Sequence, residues 1–150
     1  MPGVMGPRIA RSLAIGGACV LLGGCADNHN TTRSAAALVR VTERDFHIAA
    51  SVKQVPAGAV QFTVHNQGPD DHELIVVRES SRDAPLPLRN DGVTIDEDGL
   101  APVTVGSGLV PGQPGSVRRL GLSLTPGRYV IFCNMAGHFM AGMHTELVVR

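Results

Sequence analysis

From Leu38 onward, apolar and polar residues alternate in short runs. In "LVRVTERDFHIAAS", Phe46 and Ile48 share one face and Asp45 and His47 the other. In "AVQFTVHN", Val60, Phe62 and Val64 oppose Gln61, Thr63 and His65. "ELIVVRE" is a short run of β-branched type, "SVRRLGLSLT" aligns Leu120, Leu122 and Leu124, and "RYVIFC" and "HTELVVR" end the chain. A period of two over such short runs predicts half-buried strands. Turn residues separate the runs: Pro56 and Gly58, Asn66 to Pro69, Pro111 and Gly112, Pro126 and Gly127. No stretch carries a long helical stripe. Residues 78–115 are less regular and predict short strands near 93–95 and 102–105, with a helical turn. About seven short strands with spaced turns predict an all-β chain folded as an antiparallel sandwich.

The first 24 residues are a different material. Arg8 and Arg11 precede the apolar run "LAIGGACVLLGG", which is too short to span a bilayer comfortably and reads as a secretory signal. It ends in "LLGGC", which resembles the lipobox of bacterial lipoproteins: Leu22, then two glycines, then Cys25. The resemblance implies cleavage before Cys25 and lipid on that residue, leaving the protein exported, extracytoplasmic and anchored to a bacterial membrane. Plain secretion is the alternative. Residues 25–37 are small and polar, a lipidated tether reaching about 40 Å when extended. The domain proper is expected over 38–150.

Charge adds little. All 13 acidic residues follow the signal, and removing Arg8 and Arg11 from 13 basic residues leaves 11, a net of −2 for the mature chain. No strong field calls for nucleic acid. "DEDG" at 96–99 lacks the alternating acids and following Glu of a calcium loop and reads as a solvated turn.

Cysteine and methionine change the picture. Past the signal, every methionine and the only unmodified cysteine lie in "CNMAGHFMAGM", residues 133–143. A lone thiol in an exported protein is either a buried core residue or occupied. Cys133, His138 and Met143 recur at intervals of five, and Gly137 and Gly142 precede the last two. Glycine lets a short loop fold donors around a point. Two imidazoles, a thiolate and a distant thioether suit copper, because neither Cu(I) nor Cu(II) is fully satisfied and both are tolerated. The second imidazole must come from upstream. His29 lies in the tether, His47 and His65 sit on solvated strand faces, and His72 ends the turn "NQGPDDHE" as "LIVV" begins. His72 is therefore the expected fourth donor. Met140 competes with Met143 but lacks a preceding glycine, and His144 is expected at the surface.

The chain from 38 to 150 resembles the cupredoxins, the type 1 blue-copper domains, with a ligand loop like that of rusticyanin and sulfocyanin. "GHFMAGM", "NQGPDDHELIVV" and "LTPGRYVIFC" carry the likeness. It implies a Greek-key β-sandwich holding one copper ion, with His72, Cys133 and His138 as a trigonal set and Met143 as axial ligand. It also implies an exposed edge of His138 through which electrons leave, rimmed by Met135, Ala136, Phe139, Met140 and Ala141, where redox partners dock. Phe139 and Met140 serve equally well as packing over the metal. The expected protein is a monomeric, membrane-tethered electron carrier and not an enzyme. His-x-His pairs of multicopper oxidases and a second loop cysteine are both missing. A copper chaperone, buffer or sensor is the alternative.

Overall fold

The computed structural model describes residues 35–79 and 85–150. The signal, Cys25 and nearly all of the tether lie outside the described residues. Among the described residues, nine strands and one short helix follow in order: β1 Ala37–Arg44, β2 His47–Ala50, β3 Gln54–Val55, β4 Gly58–Asn66, β5 His72–Arg78, α1 Glu97–Leu100, β6 Thr104–Gly112, β7 Val117–Leu124, β8 Gly127–Phe132 and β9 His144–Val149. They form a four-stranded sheet in the order β2-β1-β4-β7 and a five-stranded sheet in the order β3-β9-β8-β5-β6. The β1–β4 and β3–β9 pairs are parallel and the rest antiparallel. This is the expected all-β Greek-key sandwich.

The alternating runs supply the space between the sheets. Val39, Val41, Val60, Phe62 and Val64 from one sheet meet Leu74, Val76, Tyr129, Ile131, Leu147 and Val149 from the other, all buried. Cys133 and Met143 extend this core at one end. "LIVV" does not alternate, and the structure shows why. Leu74 and Val76 face the sandwich, whereas Ile75 and Val77 pack with Phe132 against Ile95 and Leu100. The irregular segment ahead of β6 thus roofs the outer face of the five-stranded sheet. A strand buried on both faces reads as a continuous apolar run.

Three expectations change. The 38–51 run is two strands, because the chain turns at Asp45 and Phe46 between the paired residues Arg44 and His47. Phe46 therefore leaves the core face; it has a φ of 62° and is half exposed. The strand near 102–105 begins at Thr104 and continues to Gly112, nine residues in all. Its glycines and Pro111 hid it, but it pairs along β5 through register shifts that absorb such residues. Around 93–95 there is only a single bridge, Leu88 to Ile95.

Candidate metal centre

The two sheets bring the end of β8 beside the start of β5. Tyr129, Ile131 and Cys133 share the inward face, so the thiol enters the end of the core just after the strand stops. The loop that follows is wound by its own backbone. His138 N–H donates to Met135 C=O at 2.9 Å, Ala141 to Gly137 at 3.0 Å, Gly142 to Phe139 at 2.9 Å and Met143 to His138 at 3.0 Å. Gly137 and Gly142 take φ values of 81° and 102°, the left-handed region in which a Cβ is strained. Cys133 N–H donates to Met143 C=O at 3.2 Å, closing the loop on itself.

His72, at the first position of β5, arrives from the other side. Its Nδ1 lies 4.0 Å from Cys133 Sγ, and His138 Nδ1 lies 3.6 Å from the same sulfur. The three donor atoms all fall within 4.8 Å of one another. His72, Cys133 and Met143 are fully buried, while 9% of His138 remains exposed. His138 is therefore the imidazole that opens to the surface.

The electrostatics suit a bound cation. Burial pushes the Cys133 thiol up to about 11, although backbone N–H groups of Glu73 and Met135 aimed at the sulfur work the other way. Such a thiol keeps its proton at neutral pH unless a cation replaces it. Burial also lowers the pKa of His72, with the neighbouring His138 adding to the effect and Asp45 opposing it. A neutral imidazole is the form that ligates metal. Its Nε2 lies 3.2 Å from Asp45 Oδ1, on the side of the ring away from the sulfur. Two nitrogens and a sulfur converging in a buried pocket, beside a buried methionine, fit a single type 1 copper ion.

A model of the sulfocyanin (SoxE) domain matches residues 48–150. The chain belongs to the sulfocyanin domain family. Solved structures share its fold. Reduced auracyanin from Roseiflexus castenholzii is 16% identical over 77% of this chain and 98% of its own, with a TM-score of 0.54. Auracyanin A from Chloroflexus aurantiacus, a "blue" copper protein, is 14% identical over 77% and 100%, with a TM-score of 0.55. A reduced rusticyanin is 19% identical over 77% and 81%, with a TM-score of 0.53. No curated protein matches the chain.

In this sulfocyanin domain the roofing segment is tied to the 133–143 loop by Asn134, next to Cys133. Asn134 Oδ1 accepts from Ile95 N–H at 2.6 Å, and its Nδ2 donates to Ile95 C=O at 3.1 Å and Glu97 Oε1 at 2.7 Å. Asn134→Ala orphans both backbone groups of a buried residue. The expected cost is about 1–3 kcal/mol, read as a lower urea midpoint with an unchanged m-value.

Phe139 and Met140 differ in exposure. Phe139 packs edge-on to Phe132, with ring centroids 5.5 Å apart, and sits 4.9 Å from the exposed His144 ring. Met140 is 55% exposed, and Ala136 and Ala141 of the same loop are exposed too. His47 and His65 stand apart from the cluster, and His65 Nδ1 lies 3.2 Å from Gln67 Nε2 on the surface. Asp45 and Phe46 were not among the sequence candidates. A signal existed: apolar residues fall on odd positions at Val39 and Val41 but on even positions at Phe46 and Ile48. A flip of phase in a period of two marks a turn or bulge between them.

Proposed function

We propose that His72, Cys133 and His138, with Met143 as axial ligand, hold the copper ion, and that the protein carries single electrons between redox partners. The observation that carries the reading is the convergence of Sγ and two Nδ1 atoms within 4.8 Å in a buried pocket. Bound copper would supply a one-electron couple. The chain supplies a site that need not rearrange: the cysteine is fixed by a strand end, one histidine by a neighbouring strand and the other by a hydrogen-bonded loop. His138 keeps a small exposed edge, its ring meets that of the half-exposed Phe46, and Ala136, Met140 and Ala141 of its own loop are exposed. A small apolar rim of this kind suits brief docking by a redox partner. The reading makes the protein a carrier and not an enzyme. The N-terminal sequence supports an extracytoplasmic position, tethered by lipid on Cys25; a mature mass lacking acyl chains would refute the tether.

The purified protein loaded with copper tests the carrier reading. An intense thiolate-to-copper visible band that bleaches and returns with reversible one-electron reduction is expected. A protein that binds only Cu(I), without the band, and hands it to an acceptor would instead be a chaperone or buffer.

A further inference from the structure

The link between β1 and β2 is only two residues long, and each residue bears on a different imidazole of the candidate centre. Asp45 Oδ1 meets His72 Nε2 at 3.2 Å, and the Phe46 ring stands edge-on to that of His138 with centroids 5.4 Å apart. The link is conformationally costly, since a φ of 62° is uncommon for an aromatic residue. The Asp45–His72 pair is also seated against backbone. A Cβ on Gly68 would lie 2.6 Å from Asp45 Oδ1, 2.9 Å from His72 Nε2 and 3.0 Å from Asp45 N, so no larger residue fits there without displacing the pair. His72 has no exposed surface, whereas the Asp45 side chain keeps 26% of its own. The carboxylate is therefore held on a buried ring from the solvent side.

We propose that Asp45 is a positioning residue for the metal centre: its carboxylate accepts the Nε2–H of His72, fixes the tautomer that turns Nδ1 toward Cys133, and favours the more highly charged, oxidised metal. This rests on the reading of His72 as a ligand. Two physical effects act in the same direction. A carboxylate behind a ligating histidine raises the basicity of the ring, and outer partners of this kind are typically worth about 10–100-fold in metal affinity. Its negative charge also stabilises Cu(II) more than Cu(I), because a nearby opposite charge favours the more highly charged form.

Three measurements on the full mature protein test it: the visible spectrum, the midpoint potential of the copper-loaded form, and the His72 tautomer in the metal-free form by nitrogen-15 NMR. In Asp45→Ala, Cu(II) affinity is expected to fall about tenfold more than Cu(I) affinity. That ratio corresponds to a rise in potential of about 59 mV for a one-electron couple. The tautomer is expected to change from Nε2–H to a mixture. Asp45→Asn keeps an acceptor oxygen without the charge, so it should restore the tautomer while the potential stays above wild type. It carries the test alone if Asp45→Ala fails to fold. Wild-type protein that binds no copper overturns the ligand reading beneath the proposal. Copper-loaded wild type with an unchanged potential in both variants, or an unchanged tautomer in Asp45→Ala, overturns the proposal and leaves the ligand reading standing.

Discussion

Cys133→Ser is expected to abolish the visible band and to lower copper affinity by more than about 100-fold, the upper end of what losing an outer partner of a metal ligand costs. The size follows from what the sulfur alone contributes. It is the only soft anionic donor among the three convergent groups, and Cu(I) depends on such a donor far more than on imidazole. The substitution is nearly isosteric at a fully buried position, and the Glu73 and Met135 amides aimed at the sulfur can donate to a hydroxyl. Metal-free stability should therefore change by only about 1 kcal/mol. Metal-linked stability should change more. A ligand that binds only the native state raises stability by about 2.7 kcal/mol at a hundredfold excess over Kd. Copper should thus raise the melting temperature of the wild type and leave that of the variant nearly unmoved. A core-filling cysteine predicts no thiolate-to-copper band in either protein and the same response of the melting temperature to copper in both. Calorimetry and a visible spectrum on the same samples separate the two.

Much of the centre was legible because its chemistry is local in sequence. Cys133, His138 and Met143 share one loop, and two glycines mark where that loop must bend. His72 was legible by position, since a turn at the end of the sandwich can deliver the first residue of the next strand to the same end as the 133–143 loop. The outer wall was not. Reading 38–51 as one strand placed Asp45 and Phe46 on opposite faces of a sheet, whereas the chain reverses there and turns both toward the histidines. Strand β6 was hidden by glycines and a proline that a single-sequence pattern counts against it, although pairing with β5 and the roof of apolar residues above that strand favour it. Both gaps have the same cause. A period of two reports burial by the opposite sheet, and it says nothing of contacts made by turns or of strands with irregular register.

Glu43 is a case where the pattern was legible and its consequence was not. It occupies an inward position of β1 in line with Val39 and Val41, and it is fully buried. Its Oε2 accepts from Arg118 Nη2, while Oε1 and Arg118 Nε have no partner among the described residues. The arginine reaches it across β4 and past Gly112, where a Cβ would collide with Arg118 Nε. Burial raises the Glu43 carboxyl from 4.5 to about 7, against the pull of Arg118 downward. The folded state therefore holds a proton more tightly than the unfolded chain. This group's contribution to stability is fully present below about 4.5 and is lost as pH rises through about 7. At 1.36 kcal/mol per unit the loss is at most about 3 kcal/mol.

Arg118→Leu takes away the cation that offsets the buried charge, and breaking a buried pair on one side typically costs about 3–5 kcal/mol. That cost applies only while Glu43 is ionised. The expected result is a loss of about 3–5 kcal/mol near pH 8 that shrinks to about 2 kcal/mol near pH 5, where the carboxyl is neutral and what is missing is packing, the hydrogen bond from Arg118 Nη2 to Glu43 and the 3.0 Å bond from Arg118 Nη1 to Val110 C=O. Replacing both partners, Glu43→Met with Arg118→Leu, removes the charge and its requirement together and should restore most of the stability at pH 8. Urea unfolding of the wild type and both variants at the two pH values decides it. A cost for Arg118→Leu that is the same at pH 5 and pH 8 would mean that the arginine acts by packing alone, and that Glu43 does not depend on it to remain buried as a carboxylate.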